Sequence, residues 1–196
     1  MNKNVFAFLF GFLIFAGIMN NRAYAAGEES YQKGLEIFNG INPDADKYKN
    51  AFSYFVQAAK EGNADAYFML ALYSDTGIAV RKNPELAFMR YQKSAELGNA
   101  YAMFSVADMY MNGEGVEHDM NETVNWFTKS AEHGNAEAAY NLGAIYLTGI
   151  GVKPNPNKAK KWFNESYKLG NPTALLAGKM NMPITLYHRL DRALKK

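Results

Sequence analysis

The chain has 196 residues, a formal charge of +2 and no cysteine, which excludes disulfides, thiol nucleophiles and a lipid-modified cysteine. The charge is uneven: residues 26–152 hold 9 Lys/Arg against 17 Asp/Glu, whereas residues 153–196 hold 10 against 2. Such a split can steer a charged partner, or it can be a solvated surface without a message.

Residues 1–25 read as a secretory signal peptide. Asn2-Lys3-Asn4 is a short polar start with one cation, and Val5 to Met19 carries no charge over fifteen residues. Ala23-Tyr24-Ala25 then supplies the small-x-small cleavage pattern. Crossing a bilayer takes about 20 apolar residues, so this stretch favours cleavage after Ala25 over retention as an anchor. The expected location is a bacterial periplasm or the extracellular space, with no transmembrane span once the signal is removed.

Glu28 to Gly40 is the first helical candidate, with Tyr31, Leu35 and Phe38 spaced for one face. Phe38 lies 36 residues before Ser74 and 72 before Tyr110. This candidate therefore reads as the worn first helix of a repeat, in a degenerate unit 28–62. Ile41 to Lys49, with Asn42-Pro43-Asp44, is expected to be a linker. Ala51 to Lys60 follows as a helix closed by Gly62.

Ala59-Lys60-Glu61-Gly62-Asn63-Ala64 returns after 36 residues as Ala95-Glu96-Leu97-Gly98-Asn99-Ala100 and again as Ala131-Glu132-His133-Gly134-Asn135-Ala136. Tyr167-Lys168-Leu169-Gly170-Asn171-Pro172 is a fourth copy at the same step. A fixed period of this size marks a stacked repeat protein. Three full units result, 63–98, 99–134 and 135–170. Each has a helix A (Ala64–Asp75, Ala100–Met111, Ala136–Leu147) that ends at Gly77, Gly113 or Gly149, where a left-handed backbone costs little. Helix B starts at Asn83-Pro84 and Asn155-Pro156, a cap before proline. Asp119 with Glu122 has capping-box spacing. The B helices run toward Gly98, Gly134 and Gly170. A half repeat, 171–182, is stopped by Pro183. Residues 183–196 form a basic capping helix with Ile184, Tyr187, Leu190 and Leu194 on one face.

Ala138, Tyr140, Leu142, Gly143, Tyr146, Gly149, Gly151 and Val152, followed by Ala159, Trp162 and Phe163, resemble the Sel1-like repeat, a relative of the tetratricopeptide repeat. The second unit matches at Ala102, Phe104, Ala107, Tyr110, Gly113, Gly115, Val116, Trp126, Phe127, Lys129 and Ala131. The first departs at Ser74, Ala79 and Arg90, where the pattern has tyrosine, glycine and tryptophan. The resemblance covers about residues 51–182 and implies an all-α, right-handed α/α solenoid of stacked antiparallel helix pairs. It also implies a protein–protein adaptor.

In tetratricopeptide-like stacks helix A lines the concave side. By that resemblance the partner-facing positions are Asp65, Phe68, Leu72 and Asp75, then Tyr101, Phe104, Asp108 and Met111, then Glu137, Tyr140, Ala144 and Leu147. Aromatics, methionine and carboxylates together suit a peptide or protein segment. Phe68, Phe104 and Tyr140 hold equivalent places in all three units, so packing accounts for them equally well. Asp65, Tyr101, Asp108 and Met111 differ between units and are not demanded by a core.

Signals for catalysis are weak, and neither an enzyme nor a cofactor is expected. His118, His133 and His188 are isolated from one another, without metal-ligand spacing. Ser30-Tyr31-Gln32-Lys33 fits S-x-x-K, but the companion S-D-N and K-T-G elements are absent. The repeat glycines follow helices, so they do not form a phosphate loop, and no nucleic-acid reading motif is present. The expectation is an exported interaction module of the bacterial envelope. Short signal-bearing Sel1-like proteins also resemble immunity proteins that neutralise periplasmic toxins or effectors. Two alternatives stand beside it: a β-lactam- or cell-wall-fragment-binding hydrolase-like protein, and a binder of the anionic envelope surface through the basic C-terminal third.

Overall fold

The computed structural model describes residues 27–40 and 46–174. Eight helices are present among them and no strand: α1 (27–39), α2 (Lys47–Lys60), α3 (Ala64–Thr76), α4 (Pro84–Glu96), α5 (Ala100–Asn112), α6 (Met120–Glu132), α7 (Ala136–Thr148) and α8 (Pro156–Lys168). The expected signal peptide, most of the expected half repeat and the expected basic capping helix lie outside the described residues. The fold class is the expected all-α solenoid of paired helices. The chain forms two compact units, residues 1–83 and 84–196.

Each joint from a B helix to the next A helix is closed by the same backbone geometry. After α6, Gly134 takes φ +92°, its N–H reaches the carbonyl of Ala131 at 3.0 Å, and the N–H of Asn135 reaches Ser130 at 3.1 Å. This is a Schellman motif, which satisfies the carbonyls a helix end leaves bare. Gly62-Asn63, Gly98-Asn99 and Gly170-Asn171 repeat it. The asparagine then caps the following helix: the Asn135 side chain accepts the N–H groups of Glu137 and Ala138, both at 3.0 Å. Asn63 and Asn99 do the same for α3 and α5. One Gly-Asn pair thus ends one helix and starts another, which is why it recurs.

The A-to-B joints use a second device. The N–H of the residue before helix B donates to the last turn of helix A: Asn83 to Ser74, Asp119 to Tyr110 and Asn155 to Tyr146, at 2.7, 3.1 and 2.8 Å. That bond makes the Asp119–Glu122 capping box one-sided. Asp119 accepts from the N–H groups of Asn121 and Glu122, but its own N–H is taken by Tyr110, and Glu122 accepts from Asn125 instead. At the opposite ends, the buried hydroxyl of Ser130 donates to Ala100 O at 2.7 Å and that of Ser166 to Ala136 O at 2.6 Å. Start meets end in α5–α6 and in α7–α8, so both pairs are antiparallel.

In the unit of residues 1–83, Phe55 and Tyr73 are fully buried among Tyr31, Phe38 and Phe52, with ring centroids 5.3–6.5 Å apart. Burying a side chain of that size is worth about 1.5–3 kcal/mol. Two sequence expectations change here. Helix α2 starts at Lys47, four residues before the expected Ala51, because Tyr48, four before Phe52 and seven before Phe55, extends its apolar face and packs on Phe38 with centroids 5.4 Å apart. Helix α1 is also offset by one residue from the 36-residue step. Tyr31 packs on Phe55 as Phe104 packs on Phe127 and Tyr140 on Phe163, so Tyr31, not Phe38, sets the register.

In the unit of residues 84–196 the core is built on Val106, Phe127, Leu142 and Phe163, all essentially without exposure. Gly143 lets α7 lie directly on the Phe163 ring, since a Cβ there would come within 2.6 Å of it. Gly34 leaves the same space for Phe55.

Candidate functional site

The twelve side chains expected to face a partner divide by what the core asks of them, with Asp75, Ala144 and Leu147 half-buried. Phe104 and Tyr140 are half-buried and stack on the B-helix rings of Phe127 and Phe163, with centroids 5.3 and 5.5 Å apart. Phe68 packs on the core of its own unit. These three hold the helix pairs together and show only an edge to solvent. Leu72, Asp108 and Met111 are half-buried as well. Asp65, Tyr101 and Glu137 are exposed, Tyr101 to 69%.

Two of these exposed residues meet. Tyr101, in the first turn of α5, and Glu137, in the first turn of α7, line one open cavity of about 350 Å³. His133, Asn135 and Leu169 complete its wall. The geometry follows from the joints already described. Asn135 is fixed by its capping bonds, which aim the start of α7 into the cavity. His133 is the last residue before the left-handed glycine, and its ring is held by a 2.8 Å contact between Nδ1 and Lys129 O. The lining combines a carboxylate, a phenol, an imidazole, an amide and an apolar leucine. Such a set can grip a protein segment by a cationic or hydrogen-bonding side chain, with Tyr101 supplying apolar contact. Sequence reasoning named Tyr101 and Glu137 but missed His133, Asn135 and Leu169 as wall residues. The signal available was their place in the repeated helix-to-helix joint.

In the unit of residues 1–83, Asp65 lies close enough to act on the Tyr31 phenol. Burial, together with the negative charges of Asp65 and Glu28, pushes that phenol up to about 12. Its neighbourhood also answers the S-x-x-K question. The Ser30 hydroxyl donates to Glu61 at 3.4 Å, and Lys33 pairs with Glu29 at 2.9 Å. The lysine is therefore drawn to the carboxylate one turn back and away from the serine it would have to activate. His118 turns its Nδ1 to the carbonyl of Met111 at 2.8 Å, a contact at the end of α5.

A Sel1 repeat family model matches the chain four times, over residues 23–63, 64–99, 100–135 and 136–171. Among solved structures, a Sel1 repeat protein from Oxalobacter formigenes is 29% identical at a TM-score of 0.70, over 76% of this chain and 60% of that one. A protective antigen of uropathogenic Escherichia coli with an SLR fold is 28% identical at 0.63, over 79% of this chain and 32% of that one. Helicobacter pylori cysteine-rich protein B is 25% identical at 0.54, over 68% and 96%. The chain thus spans less than two thirds of the length of the first two proteins. No curated protein matches it.

Proposed function

We propose that this chain, which belongs to the Sel1 repeat family, is exported to a bacterial envelope and there holds a protein partner on the exposed face of its A helices. Sel1 repeats mediate protein binding, and the chain is an interaction module of that kind. The observation that carries the reading is the cavity shared by Tyr101 and Glu137. Two exposed side chains from different repeats converge there although packing requires neither. Export is supported by the sequence of residues 1–25, and the acidic character of the A-helix face favours a partner segment rich in cationic side chains. Within this reading the first partner class to test is a toxin or effector acting in the periplasm, because short signal-bearing Sel1-like proteins resemble immunity proteins. A hydrolase reading has less behind it, with Lys33 held on Glu29.

Affinity capture from a periplasmic extract tests the proposal, using residues 26–196 as bait beside the variant Tyr101→Ala/Glu137→Gln. The expected result is one dominant protein retained by the parent chain and lost from the variant. Equal retention by both would remove the A-helix face from the reading. A precursor that keeps residues 1–25 in cells, by intact-mass measurement, would remove export.

A further inference from the structure

A second cavity, of about 490 Å³, lies on the unit of residues 84–196 at the joint between α7 and α8. Its walls are the start of α6 (Asn121, Val124), Tyr146 in the last turn of α7, the loop 152–155 and Lys158 in the first turn of α8. It shares no residue with the Tyr101–Glu137 cavity.

The chemistry of this cavity is cationic. Lys153 and Lys158 both line it and both are exposed, and neither is ion-paired among the described residues. The Lys158 ammonium lies over the Tyr146 ring, 4.8 Å from its centroid, which holds the charge at the rim by a cation–π contact. The Asn155 side-chain oxygen accepts the N–H of Lys158 at 3.0 Å. That bond leaves the amide NH₂ of Asn155 as a donor. Of the acids at the start of α6, Asp119 caps the helix by accepting two backbone N–H groups and Glu122 accepts from Asn125, and neither lines the cavity. Val124, Val152 and Pro154 give the cavity apolar surface.

We infer that this cavity is a docking site for an acidic protein segment, seating a glutamate or aspartate side chain between Lys153 and Lys158. A concave site with room for a side chain suits a protein segment better than a bilayer surface, which meets a protein over a broad face. The local cationic character agrees with the composition of residues 153–196, which hold 10 Lys/Arg against 2 Asp/Glu. The inference does not depend on the A-helix face being a binding surface.

Fluorescence anisotropy with a labelled oligo-glutamate peptide tests it on the chain of residues 26–196. The variant Lys153→Gln/Lys158→Gln is compared with Lys160→Gln/Lys168→Gln, which removes the same charge from α8 outside the cavity. All four lysines are exposed, so both variants are expected to keep the parent fold. Loss of the two cavity lysines should weaken binding about tenfold, the sum of two partly exposed charge contacts, while the control pair changes it little. Equal weakening by both pairs would reduce the effect to net charge and overturn the site. Binding of phosphatidylglycerol vesicles without binding of the peptide would assign the lysines to a lipid surface and overturn it too.

Discussion

Ala79 is the residue at which this chain departs most visibly from its own pattern. The two later units place Gly115 and Gly151 at φ +68° and +70°, while Ala79 adopts φ +58° with a Cβ attached. A left-handed alanine costs about 1–2 kcal/mol, so Ala79→Gly should raise stability by about 1 kcal/mol, less the extra freedom glycine gives the unfolded chain. The reverse change, Gly115→Ala, should cost about 2 kcal/mol or more, because its Cβ would collide with the Pro84 carbonyl as well as being strained. Urea denaturation of both variants checks the opposite signs. Tyrosine ionisation offers a second test at this scale. Burial pushes Tyr31 and Tyr73 each up to about 12, and the Tyr73 hydroxyl donates to Tyr48 O at 3.0 Å. In the unfolded chain both ionise near pH 10. The stability they contribute as neutral phenols is therefore complete below about pH 10 and lost as the pH rises toward 12. Stability measured across that range should fall, and Tyr31→Phe should flatten the fall.

At the scale of the helix, stability depends on joints more than on helix propensity. Asn135→Ala removes the side-chain cap of α7 and should cost about 1 kcal/mol, and Asn99→Ala a similar amount for α5. Ser130→Ala should also cost about 1 kcal/mol, for the lost hydrogen bond to Ala100 O. Chemical denaturation that shows no loss in these three variants would contradict this view of the joints. The glycines, prolines and 36-residue step made the helix pairs legible in the sequence, and seven of the eight helices fall within a residue or two of expectation at both ends, α2 at its C-terminal end alone. What was not legible has physical causes. The first turn of α2 sets Tyr48 among Lys47, Lys49 and Asn50 just after Asn42-Pro43-Asp44, so it read as linker. The extra residue between α1 and α2 hid behind the coincidence that Phe38 also sits in the core. The carbonyl of Tyr110, which takes the Asp119 N–H, is supplied by the backbone, which no side-chain pattern can reveal.

For the whole molecule, repetition explains both what was readable and what was not. A core position returns in every unit and so announces itself, as Phe104 and Tyr140 do. A binding position differs between units, and sequence can only mark it as unneeded by the core. Tyr101 was marked in that way and Glu137 was named only by its place on helix A, but their sharing of one cavity with His133 required the folded chain. The charge split runs along the sequence, acidic over residues 26–152 and basic over 153–196, with Glu137 at the first cavity and Lys153 and Lys158 at the second. Partner binding should therefore weaken as salt rises. The most direct measurement is photo-crosslinking in cells, with benzoylphenylalanine placed at position 101 in one strain and at position 89 in another. Tyr101 is 69% exposed on an A helix and Met89 is 64% exposed on a B helix, so accessibility is matched and the face differs. Binding through the A helices predicts a single crosslinked protein from position 101 and none from position 89. The same protein trapped from position 89 alone would contradict it.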